Sequence, residues 1–382
     1  MQLRLKKIIK LALLKIREIF FRLISCFTLF MRKKTLDKNK INKVLVIALN
    51  RVGDAIVSLP TFRAIKENLP HSQLTVFANS YVKDILDRIN YIDNLVTYDK
   101  GLSFFQRARL VRKLSRNQYD LAVDLTCDYT IDGALWSYLS GATYRVGYNS
   151  YGRGFLFNRA VKNEKEPLHI VDELLNIIKS ISLDTKDKIL KISPSKEAKE
   201  TIRKFLRERD VKDEDLLIGI HPGSNYPTQS WLKERFAEVA DKVTEKYKAR
   251  VVLIGGPKEK ELIIRITKDM INRPLIFFNR PIRELLALIQ LCHLLICNNS
   301  GPLHLATALR TPTVSTMGPT IPERWWPYGQ GHVVIRRDLS CMPCNDATCK
   351  LKTFDCMRLI TVEEVLEATE QQIFSTTTTR ES

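Results

Sequence analysis

At 382 residues, 45% of them hydrophobic, the chain is long enough for two domains of ordinary size with separate cores. Its formal charge of +19 is unevenly spread: residues 1–43 hold 13 lysines and arginines against Glu18 and Asp37, a local +11 that leaves +8 for the rest. This argues for one basic segment and against a protein-wide nucleic-acid surface.

Residues 1–42 form that segment. Leu5, Ile9, Ala12, Ile16, Ile19, Leu23, Phe27 and Phe30 fall at helical spacing on one face, with Lys6, Lys7, Lys10, Arg17 and Arg32 flanking it. Such a helix suits an anionic membrane interface; a helix packed on the protein's own body is the alternative. The longest uncharged run, Leu23 to Met31, is too short to cross a bilayer. Lys15, Arg17, Glu18 and Arg22 interrupt the apolar run and no small-residue cleavage site follows, so no secretory signal is expected. The eight cysteines are then expected in a reducing cytoplasm, as free thiols or metal ligands.

From residue 43 the pattern alternates. Strands are predicted at Lys43–Asn50, Gln73–Ala78, Leu95–Tyr98 and Tyr119–Leu125, and helices at Ala55–Asn68, Val82–Ile89 and Phe104–Asn117. The charged stretch Lys186–Lys199 reads as an inter-domain passage, dividing residues 43–190 from 191–382. The pattern then restarts, with strands at Leu216–Ile220, Arg250–Ile254, Leu275–Phe278, Leu294–Cys297, Thr313–Thr316 and Val333–Ile335. Helices are predicted at Lys233–Tyr247, Lys258–Met270, Ile282–Leu291, from Leu303, and at Val362–Phe374. The expected fold is α/β: two doubly wound, Rossmann-like domains facing a central cleft, preceded by an amphipathic helix.

Four turns follow strands and would converge on such a crevice: Asn50 to Asp54, His221-Pro222-Gly223-Ser224, Gly255-Gly256-Pro257 and Asn298 to Gly301. In the last, Ser300 is a natural N-cap and Pro302 suits a first helical turn, leaving backbone N–H groups at the positive end of a dipole. The three turns of the second half lack bulk and suit a nucleotide diphosphate approached by backbone. Asp54, just after Gly53, can accept a proton or simply cap the helix that follows. His304 reads as a site residue or as a packed core histidine. No GxGxxG, P-loop lysine or GxSxG motif is present.

The runs Arg51-Val-Gly-Asp-Ala-Ile-Val-Ser-Leu-Pro60, His221-Pro-Gly, Asn298-Asn-Ser-Gly-Pro-Leu-His304-Leu-Ala and Gly318-Pro-Thr-Ile-Pro-Glu-Arg-Trp325 together resemble glycosyltransferase family 9, the heptosyltransferases, over about residues 43 to 365. The resemblance implies a GT-B fold, an ADP-linked sugar donor on the C-terminal half, and a lipopolysaccharide-core acceptor on the N-terminal half, near Arg51 and Gly53. It also implies inverting transfer with no cofactor required. By the same resemblance Asp54 is the general base, Ser300, Gly301 and His304 belong to the diphosphate and sugar turn, and Glu259 meets the ribose. His221, Gly223, Ser224, Gly255, Gly256 and Asn299 complete the expected donor side. Two positions depart from the family: Gln229 stands where a lysine is frequent, and Asn299 where an aspartate is frequent.

Cys341, Cys344, Cys349 and Cys356 have the number and closeness of a structural zinc site, though the second pair is loosely spaced. Free thiols or a redox pair are the other readings. The resulting expectation is a cytoplasmic enzyme, peripheral on the inner face of the cytoplasmic membrane, transferring a sugar to a lipid-linked acceptor and binding no nucleic acid. The rival readings are a sugar-nucleotide epimerase of the same fold and a non-catalytic basic protein that binds membrane or nucleic acid.

Overall fold

The computed structural model describes residues 13–21, 36–49, 51–164 and 166–380. The chain divides into two compact units, Met1–Lys188 and Ile189–Ser382.

In the first unit, α1 (residues 13–21) precedes β1 (Lys43–Ala48), α2 (Val52–Val57), α3 (Leu59–Asn68), β2 (Gln73–Asn79) and α4 (Lys83–Leu86). Then come β3 (Asn94–Tyr98), α5 (Phe104–Arg116), β4 (Leu121–Asp124), α6 (Asp132–Leu139), β5 (Tyr144–Tyr148), β6 (Arg159–Val161) and α7 (Ile170–Lys179). The sheet order is β3-β2-β1-β4-β5-β6, all parallel. Val44, Leu45, Val46 and Ile47 are wholly buried, because a central parallel strand is covered on both faces. One face carries an aromatic core in which Phe77 meets Trp136 edge-on, 4.9 Å between centroids.

The second unit repeats the plan. It runs α8 (Lys196–Arg207), β7 (Leu217–His221), α9 (Lys233–Tyr247), β8 (Arg250–Gly255), α10 (Lys260–Asp269), β9 (Leu275–Phe278), α11 (Ile282–Leu291) and β10 (Leu294–Asn298). It ends with α12 (Gly301–Leu309), β11 (Thr313–Met317), α13 (Pro322–Trp325), β12 (His332–Arg336), α14 (Asp355–Arg358) and α15 (Val362–Arg380). Its sheet order, β12-β11-β10-β7-β8-β9, is the first unit's order again, with β7 in the place of β1 and β10 in the place of β4. Trp231, Phe236 and Val365 pack with Ile218, Ile220 and Leu253 of the strands. Each such side chain, fully buried, is worth about 1.5–3 kcal/mol.

Several expected boundaries move. The single helix expected over Ala55–Asn68 breaks at Ser58 into α2 and α3, because Pro60 in the first turn of α3 has no N–H to continue the ladder. The helix expected over Val82–Ile89 shrinks to α4. The passage expected through Lys199 already contains the start of α8, capped by Ser195, whose hydroxyl accepts from the Ala198 N–H at 3.0 Å. The final helix extends past Phe374 to Arg380.

Of the N-terminal segment, only residues 13–21 and 36–42 are described; Leu5, Ile9, Ala12, Leu23, Phe27, Phe30, Lys6, Lys7, Lys10 and Arg32 lie outside. In α1, Arg17 turns toward the unit, donating from Nη2 to the Tyr129 carbonyl at 2.7 Å and lying 5.9 Å from the rings of Phe21 and Tyr151. Phe21 packs on Phe155 at 4.7 Å. One side of α1 is therefore docked on the protein, while Leu13, Ile16, Ile19 and Phe20 remain exposed. No helix among the described residues is long and apolar enough to cross a membrane.

Candidate functional site

The C-terminal unit assembles its turns where its strand order reverses, at the carboxyl ends of β7 and β10. The residue that joins them is Asn298, the fully buried last residue of β10. Its Oδ1 accepts from the Trp231 N–H at 3.0 Å and the Thr316 hydroxyl at 2.8 Å. Its Nδ2 donates to the carbonyls of Pro222 at 2.7 Å and Gly223 at 3.3 Å. One amide thus clamps the His221–Ser224 turn to the β10–α12 turn. The sequence placed Asn298 in a turn at a strand end and in a family-like run, but nothing in the linear pattern marked it as the clamp between two turns.

Beyond it, the Asn299 amide donates to the Trp325 carbonyl at 3.2 Å, tying this turn to α13. An aspartate, frequent here in the family, has no N–H for that bond. Ser300 occupies the N-cap of α12 as expected, but makes no side-chain cap bond. Its hydroxyl instead lies 3.4 Å from Nδ1 of His221. Burial pushes the His221 imidazole down to about 4, so it is neutral at physiological pH, and in the tautomer protonated on Nε2 its Nδ1 can accept a hydrogen bond from that hydroxyl. The first turn of α12 begins at Gly301; Pro302 brings no N–H and the Leu303 N–H donates to the Ser300 carbonyl at 3.1 Å, so the Gly301 N–H stands at the positive end of the helix dipole. His304 is buried three residues on, 5.9 Å from the Trp325 ring.

Glu259 joins the same group. A Cβ on Gly223 would stand 2.9 Å from Glu259 Cγ and from His221 Cε1, and one on Gly256 would stand 2.9 Å from Glu259 Oε2. A side chain at Gly223 would press on both the Glu259 stem and the His221 ring, whereas one at Gly256 would only move the tip of the Glu259 carboxylate. Ser224 bonds Ser230 Oγ at 2.6 Å, and Gln229 Nε2 donates to Thr320 Oγ1 at 3.2 Å. Gly255 lies against Ile263, where a Cβ would meet Cγ1 at 2.8 Å, and so serves strand-to-helix packing.

The N-terminal unit has its own reversal point, between β1 and β4. The turn after β1 runs into α2, and the Arg51 N–H donates to Asp54 Oδ2 at 2.9 Å. The helix begins at Val52 and not at Ala55, so Asp54 is its third residue and bonds back to the N-cap residue Arg51, where the capping reading had it precede the helix. Tyr81 stands close by: its phenol is pushed up first by burial and then by the Asp54 charge. Gly53 is buried beneath the turn and Arg51 is exposed; Asn50 lies outside the described residues.

At the end of β4 sits a second carboxylate that the sequence did not single out. Asp124 is fully buried and its pKa is raised, chiefly by desolvation, against the lowering effect of Arg153. Its Oδ1 accepts from the Thr126 N–H at 3.0 Å, and Oδ2 has no hydrogen-bond partner among the described residues. Arg153, also fully buried, spends its guanidinium on the carbonyls of Tyr148 at 2.9 Å, Thr130 at 2.6 Å and Thr126.

The cysteines do gather: Cys356 is pushed up to about 11, first by burial and then by Cys344, Cys349 and Cys341. Cys349 keeps a lowered pKa although burial opposes it, because the N–H groups of Phe354, Leu351, Thr353 and Lys352 point at its sulfur. Yet no three His, Cys, Asp or Glu side chains among the described residues are placed to hold a metal ion, so the geometry does not support the expected zinc site. The physical reason lies in the second pair, whose long spacing lets the sulfur of Cys349 turn into its own loop. The seven described cysteines are all free thiols.

Comparison with known proteins agrees with this picture. Lipooligosaccharide heptosyltransferase 2 of Campylobacter jejuni is 26% identical over 332 residues, covering 85% of this chain and 97% of that protein. Solved structures share the fold, two of them over nearly the whole chain. One, a family 9 glycosyl transferase from Veillonella parvula, has a TM-score of 0.78 at 22% identity, covering 90% of this chain and 100% of the other. The other, E. coli ADP-heptose lps heptosyltransferase II, has a TM-score of 0.73 at 22% identity, covering 87% and 99%. Two doubly wound units of this kind are the GT-B composition. The family description "Glycosyltransferase family 9 (heptosyltransferase)" matches residues 107–354, so the chain belongs to that family and is a glycosyltransferase.

Proposed function

We propose that the protein moves a heptose from an ADP-heptose donor to a lipopolysaccharide-core or related lipid-linked acceptor, with inversion at the anomeric carbon. The observation that carries this reading is the clamped pair of turns at β7 and β10, small and backbone-lined in front of the α12 N-terminus. Such a site suits a diphosphate. The ADP-heptose named for the E. coli relative supplies the identity of the donor.

In this reading an acceptor hydroxyl attacks the anomeric carbon and gives its proton to the Asp54 carboxylate. The bond from that carbon to the diphosphate oxygen breaks, and ADP departs with the electron pair. N–H groups around Ser300 and Gly301, with the α12 dipole, stabilise the leaving charge where other enzymes use a metal ion. His221, Gly223, Ser224, Gly255, Gly256, Asn299 and His304 line the donor side, and Glu259 takes the ribose hydroxyls. Arg51 and Gly53 belong to the acceptor side. Residues 1–42 hold the enzyme at the anionic inner face of the cytoplasmic membrane, supported by their +11 charge through Lys43 and the exposed apolar residues of α1.

The test is product analysis by mass spectrometry with ADP-heptose and truncated acceptor, beside ADP-glucose and a uridine-linked sugar. Heptosyl product from ADP-heptose alone supports the reading. Turnover of donor without acceptor would replace it with an epimerase.

A further inference from the structure

We infer that the N-terminal unit carries a second membrane-docking surface, the outer face of α5, which seats Phe104 and Phe105 in an anionic bilayer. It is separate from the contact proposed for residues 1–42 and requires only a lipid surface, whatever sugar is transferred.

Phe104 and Phe105 are 78% and 82% exposed, far from the usual place of such residues. They are not part of the core: α5 packs on the aromatic cluster through Leu110, Val111 and Leu114, from the second turn onward, and neither phenylalanine belongs to that cluster. Nor do they hang on a loose end. Ser103 and Gln106 form a reciprocal cap, with Ser103 N to Gln106 Oε1 at 2.8 Å and Gln106 N to Ser103 Oγ at 3.3 Å. Arg107 ties the preceding loop, donating to the Leu102 carbonyl at 3.1 Å and the Lys100 carbonyl at 3.0 Å. The two rings, 5.9 Å apart, are thus held outward on a rigid first turn.

Charge decides what covers them. The sequence of α5 has five cations, Arg107, Arg109, Arg112, Lys113 and Arg116, and no acid. Among the described residues none of Arg109, Arg112, Lys113 and Arg116 makes an ion pair. Surface cations of the second unit are treated differently: Lys242 pairs with Glu238, and Arg207 with Glu200. A second copy of this face would repel the first. An anionic bilayer offers headgroup charge to the arginines and acyl chains to the rings. Single-stranded nucleic acid could also stack on the rings. However, α6, packed on α5, adds the exposed aliphatic Leu135 and Leu139 beside Tyr138, which suit acyl chains better than bases.

The full-length protein is tested with vesicles of phosphatidylcholine with and without phosphatidylglycerol, reading hydrogen exchange by mass spectrometry and partition by sedimentation. Anionic vesicles are expected to slow exchange in the peptide spanning residues 102–113. Phe104→Ser with Phe105→Ser should lower partition about tenfold or more, leaving the melting temperature and turnover of lipid-free acceptor unchanged. Arg109→Glu with Arg112→Glu should abolish the preference of this peptide for anionic over neutral vesicles. Unchanged exchange in that peptide, or unchanged partition of the double phenylalanine variant, would overturn the inference and leave residues 1–42 as the whole contact. Protection by a single-stranded oligonucleotide but not by vesicles would also overturn it, in favour of nucleic acid.

Discussion

In the N-terminal unit the sheet reverses between β1 and β4; in the C-terminal unit it reverses between β7 and β10. Ile47 lies beside Asp124 in the first register, and Cys297 beside His221 in the second. Equivalent places in one topology have received opposite chemistry. The first holds carboxylates, Asp54 in the first turn of α2 and Asp124 at the end of β4, with a buried arginine neighbouring the latter. The second holds a neutral imidazole, two asparagines and glycine-lined backbone. A reversal point is only an opening where strand ends part company; what binds there is decided by a few side chains. Under the proposed function, one such opening would take up a proton and the other would receive a diphosphate's negative charge.

The contrast breaks most visibly at Asp54. Asp54→Asn retains an oxygen for the Arg51 N–H bond, so α2 keeps its start, but it takes up no proton. Turnover is expected to fall by at least about a hundredfold, the lower end of what a general base supplies. Melting temperature and ADP affinity should stay near wild type. Near-normal turnover would leave Asp54 as a helix cap and erase the chemical difference between the two openings.

Next in size is Asn298→Ala, which attacks the other opening through its scaffold. It strands the Trp231 N–H and the Pro222 carbonyl in a fully buried place. That should cost about 3 kcal/mol, lowering the unit's melting temperature by roughly 6–12 °C. ADP binding by calorimetry should weaken along with it, since both turns lose their common anchor. Full ADP affinity in the folded variant would mean that the turns hold their shape without the clamp.

The first of these residues was legible in the sequence and the second was not. Asp54 sits in a short run whose neighbours, Gly53 and the strand before it, already announce a strand-turn-helix. Asn298 acquires its role only when residues 67 to 76 positions away come within hydrogen-bond reach. Asp124 is hidden in the same way. Its burial depends on Gly133, where a Cβ would stand 2.1 Å from Oδ1, and on Arg153 arriving from a later loop. The strands were readable because parallel strands covered on both faces leave unbroken apolar runs. The stretch between Leu125 and Lys186 was not. In α6, Leu135, Tyr138 and Leu139 are exposed while Gly133, Ala134 and Ser137 are buried, so no amphipathic stripe shows.

The smallest expected effect separates the two openings by pH. His221 titrates at about 4 when folded, against 6.5 for the ordinary group. Above 6.5 it is neutral in both states and contributes nothing to the pH dependence. As pH falls from 6.5 toward 4 the unfolded chain takes up the proton first, so stability is lost, by about 1 kcal/mol between pH 7 and 5.5. His332, likewise lowered to about 4 by burial, adds a loss of the same sign. Asp124 acts the other way: its folded pKa is raised, so the unfolded chain loses its proton first as pH rises above the ordinary carboxyl value, and stability falls with rising pH. Denaturant unfolding at pH 7 and 5.5 should therefore show a shallower acid loss in His221→Gln than in wild type. In Asp124→Asn the opposing contribution is gone, and the acid loss should be steeper or, if the carboxyl titrates wholly below 5.5, equal to wild type. A shallower loss in Asp124→Asn would reverse the sign assigned to that carboxylate and, with it, the claim that the two reversal points are electrostatic opposites.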